Sequence, residues 1–231
     1  MNKQELKLHL QDTQWPLTYI DHDRNIVRAI VIDEKQNFYF VRAKRNDDFG
    51  EATLIETSGG GVEADENLEE ALKRELKEEL GANAEIIDRI GVVDDYYNLI
   101  HRHNINNYYL CKAISFGKKH LTPDEINEFH LSTLKLSYDE ALREYNRCAN
   151  TRIGKLIAAR ELPILKQAKN LLDRKQNRWI NIINYGNILK IIRLGVVLDH
   201  SFLRYKKELP AYGFEVKKIS LKNKVVKFHQ L

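Results

Sequence analysis

A chain of 231 residues that is 43% hydrophobic and 30% charged has the make-up of a soluble globular protein, long enough for one full domain and more, and not that of a disordered or fibrous one. Its net charge of +4 is unevenly spread: residues 175–231 hold 12 Lys and Arg against 3 Asp and Glu, which leaves 25 against 30 before them, so a front at −5 precedes a tail at +9. Residues 1–11 lack the apolar run of a secretory signal, residues 188–198 are interrupted by Lys190 and Arg193 and fall short of the roughly 20 apolar residues a bilayer requires, and Cys111 and Cys148 make neither a disulfide framework nor a metal-site spacing, so the expectation is a cytoplasmic protein with no membrane contact and two buried free thiols.

In chain order, the β-branched and apolar runs at 25–33 and 37–45 predict an antiparallel pair of strands joined by a polar turn at 33–36. Residues 53–57 read as a short strand that enters a turn of three glycines, Gly59, Gly60 and Gly61. A helix is expected from about 66 to 80, stopped by Gly81 as a left-handed cap. Strands at 84–94 and 107–115 follow, separated by a polar segment containing Tyr96, Tyr97, His101, Arg102 and His103. After an acidic loop, LTPDEINEFH, come a short strand at 133–136 and helices at 138–147 and 152–172, with Pro163 as a point of kinking. This order predicts an α+β fold, an α/β/α sandwich whose mixed sheet is flanked by helices, over residues 1–175. Residues 176–231 form a basic C-terminal extension of unassigned role; its apolar runs at 180–183, 188–198 and 225–228 suit a folded or docked segment better than a loose one.

The helix that follows the glycines carries an anomaly. On a wheel of about 100° per residue with Leu68 at zero, Leu72, Leu76 and Ala71 make an apolar stripe, and Glu75 and Glu79 fall inside it at roughly −20° and +20°. A carboxylate facing a core is costly unless a cation meets it. Lys73 and Lys77 point the other way, and Arg74 lies beside Glu70 and Glu78 at helical spacing. Glu78 borders the stripe, so Glu75, Glu78 and Glu79 together offer oxygens to one or more hard divalent cations such as Mg²⁺, which prefers to share its shell with a substrate's phosphates. The preceding glycines let backbone groups approach such a ligand near a helix N-terminus, where anions are favoured.

Gly60, Glu66, Arg74, Glu75, Leu76, Glu78, Glu79, Gly81 and Ala82 stand at the spacing of the Nudix box, and the sequence resembles the Nudix hydrolases on this account. Only Ala82 is smaller than usual. A chance match of the seven fixed types, at about 5–10% each, has a probability on the order of 10⁻⁸ per start position. The resemblance covers residues 60–82 directly, and the order of strands and helices from 25 to 172 is similar to the family's. It implies that Glu75, Glu78 and Glu79 bind Mg²⁺ or Mn²⁺, with one of them, Glu75 or Glu78, a candidate catalytic base, that the Gly60 carbonyl adds a ligand, that Arg74 holds the glutamates and Glu66 supports the junction of loop and helix, and that Gly60 and Gly61 line the substrate. The implied reaction is attack of a metal-activated water on the pyrophosphate link of a nucleoside diphosphate derivative. A homodimer is the family-based expectation. Ser58 stands where many relatives have proline, which loosens a turn and removes no catalytic group.

Family members often draw a further acidic residue from a later loop as metal ligand or base; here Asp124, Glu125 and Glu128 are the candidates, Glu125 first and Glu128 second, against the reading of a solvated acidic turn after Pro123. Tyr96 and Tyr97 could stack on a base, although adjacent tyrosines at a strand end are more often one core and one surface residue. His101, Arg102 and His103 are read as exposed loop residues before phosphate ligands. Lys217, Lys218, Lys222, Lys224 and Lys227 suit a solvated strand face better than a nucleic-acid grip. Two other readings stand beside the hydrolase: a nucleotide sensor of the same fold without turnover, and an RNA-end pyrophosphohydrolase gripped by the basic tail.

Overall fold

The computed structural model describes residues 5–184, 214–220 and 225–230; the run at 188–198, Lys222 and Lys224 lie outside these. The chain divides into two compact units, Met1–Lys169 and Asn170–Leu231. The first holds β1 (Leu6–Leu10), β2 (His22–Ile32), β3 (Phe38–Asp47), β4 (Gly50–Glu56), α1 (Leu68–Leu80), β5 (Ala82–Tyr97), β6 (Arg102–Phe116), α2 (Pro123–Asn127), β7 (Ser132–Leu136), α3 (Tyr138–Cys148) and the first half of α4 (Arg152–Asn184). The second contains the rest of α4 and an antiparallel hairpin of β8 (Phe214–Ser220) and β9 (Val225–Gln230). Among the described residues no helix is long and apolar enough to cross a membrane.

Seven strands form one mixed sheet in the order β1-β5-β6-β2-β3-β4, with β7 on β3, and helices flank it, as the α+β expectation has it. Side chains that alternate along the strands divide between two layers. Val27, Ala29 and Val31 of β2 and Tyr109, Cys111 and Ala113 of β6 meet Ala71, Leu72, Leu76 and Leu80 of α1. The other parity faces the C-terminal helices: Tyr145 of α3 sets its ring edge-on to Phe40 at 5.8 Å, and Tyr108 of β6 donates its hydroxyl to Glu161 of α4 at 2.8 Å. Both cysteines are free and buried.

Three features depart from the sequence reading. β1 was not expected; its LKLHL alternation adds a parallel edge to β5, Leu6 opposite Gly91. The polar segment between the two long strands is mostly strand itself, since β5 runs through Tyr97 and β6 begins at Arg102, leaving only a short helical turn at Asn98–Ile100. The expected pairing of β2 with β3 is antiparallel but brief, confined to Val31 with Tyr39 and Ile32 with Phe38, whereas β2 pairs in parallel with β6 along its whole length. Beyond the hairpin, the chain after β4 takes the place of β3 at the edge of β2: Ala29 N–H donates to Ser58 O (2.9 Å), Val27 N–H to Gly60 O (3.0 Å) and Val62 N–H to Asn25 O (3.0 Å). The glycine turn is therefore laced to a central strand. Helix α4 continues past residue 172 with Pro163 inside it.

The β2–β3 turn is organised by Asp33, whose carboxylate accepts from the backbone of Lys35 and Asn37, the Asn37 amide, the Tyr39 hydroxyl and Lys135. Burial acts to raise its pKa, but the bonds from Asn37, Lys135 and the backbone outweigh it and hold the group at about 2, below an ordinary 3.8. A depressed carboxylate contributes stability above its unfolded pKa and loses it as pH falls through the folded one. Asp33→Asn is thus expected to cost about 1 kcal/mol at pH 7, solvent screening allowed for, with the difference in Tm from wild type closing between about pH 4 and pH 2. A Tm difference that persists unchanged at pH 2 would contradict this.

Candidate active site

Helix α1 starts where its sequence caps it. Asn67 accepts from the N–H groups of Glu69 (3.0 Å) and Glu70 (3.1 Å), and Glu70 returns the bond to Asn67 N–H at 2.9 Å. Glu66 thus lies just ahead of the helix, not within it. At the other end Gly81, with φ of 65°, closes the helix in the left-handed conformation that side-chain-bearing residues avoid.

The anomaly read from the wheel is present: Glu75 and Glu79 are buried in α1 among Ala71, Leu72, Leu76 and Leu80. Arg74 has a longer reach than the wheel suggests. Its guanidinium donates to Glu66 (2.6 and 3.1 Å), to Glu75 Oε1 (2.8 Å), to Glu78 Oε2 (3.2 Å) and to the Gly61 carbonyl (3.0 Å), so one arginine fastens the glycine turn to two glutamates of the helix. Gly60 sits directly against the cluster; a Cβ there would collide with the Glu75 carboxylate. The Gly60 carbonyl, already accepting from Val27, keeps a second lone pair.

Glu79 is held differently. Its Oε2 accepts from Ser58 Oγ at 2.7 Å and from Gly59 N–H at 2.8 Å. Among the described residues it forms no ion pair, and burial, reinforced by the charges of Glu75 and Glu125, pushes its pKa up to about 8 against those two bonds. Burial likewise raises Glu75, opposed by Arg74 and aided by Glu78 and Glu125. Ser58 is therefore more than a loosened turn; it is a buried donor to the cluster. Removing it in Ser58→Ala takes one of two donors from a buried carboxylate oxygen, and a loss of about 1–3 kcal/mol in unfolding free energy is expected; a denaturant midpoint equal to wild type would show the bond to be immaterial.

Of the later acidic residues, Glu125 is half-buried and close enough to act on both Glu75 and Glu79, while Asp124 and Glu128 are exposed. The segment is a short helix, not a loop: Glu125 Oε2 accepts from Thr122 N–H at 2.7 Å in a capping box. Lys119, which the sequence did not single out, lies near Glu79; burial lowers its pKa and Glu79 counters this. Its chain segment is stitched to α1 by Gly117 N–H to Gly81 O (2.7 Å) and His120 N–H to Glu78 O (2.9 Å). Tyr97 is buried with its hydroxyl accepting from Arg160 at 3.0 Å, and Tyr96, half-buried, stacks on His103 at 4.5 Å, so one of the pair is core and the other is only partly exposed. A cleft of about 540 Å³ behind α1, lined by Lys73, Lys77, Lys118 and His120, contains none of the glutamates.

Among the described residues no three carboxylate, histidine or cysteine side chains converge as a ready-made metal cage. The donors nonetheless fit a hard divalent cation. They are all oxygens, and Glu79 is a buried carboxylate without an ion-pair partner among the described residues, the environment in which an added cation restores the ionised form.

Comparison with known proteins bears on the family and the fold. The sequence model described as NUDIX domain matches residues 22–149. None of the curated proteins matches. A NUDIX hydrolase from Nitrosomonas europaea is similar in structure, with a TM-score of 0.51 and 13% identity over 64% of this chain and 90% of that one. The MutT protein from Methanosarcina mazei Go1 gives a TM-score of 0.48 and 20% identity over 67% of this chain and 97% of its own. The E. coli ORF135 protein gives 0.44 and 22% over 64% and 90%.

Proposed function

Because the chain belongs to the NUDIX domain family, we propose that it is a cytoplasmic hydrolase that cuts the pyrophosphate link of a nucleoside diphosphate joined to another group, with Mg²⁺ or Mn²⁺ as cofactor. The observation that carries this reading is the pair of buried carboxylates, Glu75 and Glu79, on one face of α1 beside a glycine turn. Glu75, Glu78, Glu79 and the Gly60 carbonyl would hold the ion. Once bound, such an ion neutralises charge on the diphosphate and acidifies the attacking water.

The chain's own groups supply the rest. Arg74 keeps Glu75 and Glu78 apart from free rotation and ties them to the Gly61 carbonyl, so the ligand oxygens and the turn that receives the phosphates move as one piece. Gly60 and Gly61 leave room for the diphosphate to lie against backbone. Glu125 is the proposed proton acceptor, its carboxylate near the cluster yet half-exposed. The water oxygen bonds to one phosphorus, the bridging P–O bond breaks, the water's proton passes to Glu125, and a nucleotide and a phosphorylated remainder leave.

The test is product chromatography with Mg²⁺ or Mn²⁺ over a panel of nucleoside diphosphate sugars, dinucleoside polyphosphates, nucleotide cofactors and nucleoside triphosphates. Cleavage at a phosphoanhydride that stops in EDTA is the expected result. Folded protein that binds these compounds and cleaves none would favour the sensor reading.

A further inference from the structure

We propose that Arg24 and Arg102 form an anion subsite beside the glycine turn that receives a phosphate beyond the diphosphate being cut, so that the preferred substrates carry at least three phosphates in a row. This rests on the hydrolase reading above and narrows its substrate class.

The two arginines are brought together by the parallel register of β2 and β6, in which His22 stands opposite Arg102 and Arg24 opposite Asn104. Their parity along the strands is opposite to that of Val27, Ala29, Tyr109 and Cys111, which pack on α1, so both lie on the far face of the sheet from the glutamate helix. The glycine turn connects the two sides. A Cβ on Gly60 would meet the Glu75 carboxylate, whereas one on Gly61 would stand 2.8 Å from Arg24 Nη2. Successive glycines thus have the Glu75 carboxylate on one side and the Arg24 guanidinium on the other. A phosphate chain lying across the turn would pass from the ion-binding glutamates to Arg24.

Arg102 supplies the second observation. Its Nε is buried without a hydrogen-bond partner among the described residues, and its guanidinium carbon lies 5.8 Å from the centre of the Tyr97 ring. Tyr97 is in turn fixed by the bond from Arg160. Burial disfavours the charge of Arg102, and the charges of Arg24 and Arg28 add to this, while Tyr97 and Asp95 oppose it without reversing the direction. Arg28 has partners in Asn106 (3.0 Å) and Glu56 (3.7 Å). Among the described residues neither Arg24 nor Arg102 makes an ion pair, although the neighbouring His103 and Asp23 pair with each other at 2.8 Å. Gathering like charges around a partly buried guanidinium whose Nε lacks a hydrogen-bond partner among the described residues is unfavourable unless an anion completes the site. Phosphate fits, since arginine binds it through paired N–H bonds. A nucleoside diphosphate sugar has no third phosphate to place there.

The experiment is calorimetric titration of the full chain with inorganic tripolyphosphate and pyrophosphate in EDTA, on wild type, Arg24→Gln, Arg102→Gln and Glu79→Gln, followed by kinetics with Mg²⁺. Tripolyphosphate is expected to bind wild type and Glu79→Gln, and at least tenfold more weakly to each arginine variant. Arg24 is exposed, so its variant serves should Arg102→Gln fail to fold. Among nucleotides, a triphosphate should be favoured over a diphosphate sugar at least tenfold in kcat/KM, with Arg102→Gln acting mainly on KM. Equal tripolyphosphate binding by wild type and both arginine variants overturns the subsite. So does a preference for diphosphate sugars, which leaves the hydrolase reading intact. Absence of all turnover together with arginine-dependent tripolyphosphate binding overturns the hydrolase reading and upholds the subsite.

Discussion

Glu79→Gln is expected to lower turnover by about 10²-fold or more while the protein folds and, in EDTA, melts at least as well as wild type. The amide oxygen of glutamine can still accept from Ser58 and Gly59, so the shape of the site is preserved and only the charge is lost. Stability makes the prediction sharper. In metal-free protein the folded carboxyl, at about 8, keeps a proton that the unfolded chain releases near an ordinary 4.5. The folded state therefore binds more protons across this window, and wild-type stability falls as pH rises through it. Glutamine lacks the term, so in EDTA the variant should melt progressively higher than wild type between about pH 5 and pH 8. Adding Mg²⁺ should reverse the order by raising wild type alone. Wild-type turnover in the variant, or an equal response of both proteins to Mg²⁺, would remove Glu79 from the ion site.

Arg160→Ala should be the most damaging change for stability away from the glutamates. Arg160 is 1% exposed and donates to Glu161 (2.9 Å), Asp95 (3.1 Å) and Tyr97 (3.0 Å), while Glu161, fully buried, also accepts from Tyr108 and Thr57. Removing the arginine strands two buried carboxylates, and breaking such a pair costs about 3–5 kcal/mol. A Tm decrease of roughly 10 °C is expected. Because Asp95 also accepts from Asn104 and Asn106, which occupy neighbouring positions on β6, the loss should spread along β5 and β6. A decrease below about 3 °C would mean that the network is dispensable.

The reach of the sequence can be judged on particular residues. The carboxylates of α1 were legible because one contiguous helix states both the apolar stripe and its violation, and Gly81 and the glycine turn mark its ends. The same test applied to α4 would have exposed Arg160, which stands three residues after Ile157 and four before Ile164 on a buried stripe. Other features were not written locally. The bond from Ser58 to Glu79 and the proximity of Lys119 to the cluster depend on how the turn and the segment after β6 fold back on α1. β1 contributes an alternation of only five residues, and its pairing with β5 is a long-range event. Arg102 looked like a loop residue because a charged side chain beside two histidines gives the same signal in a strand as in a solvated turn.

The lacing of the glycine turn onto β2 gives the molecule an internal reporter. The amide protons of Val27, Ala29 and Val62 are the ones engaged between strand and turn, at 3.0, 2.9 and 3.0 Å. Their exchange with deuterated solvent can proceed only when turn and strand part. A ligand that bridges the glutamates and the turn should therefore slow exchange at these three amides together, giving a readout of occupancy that needs neither catalysis nor a label.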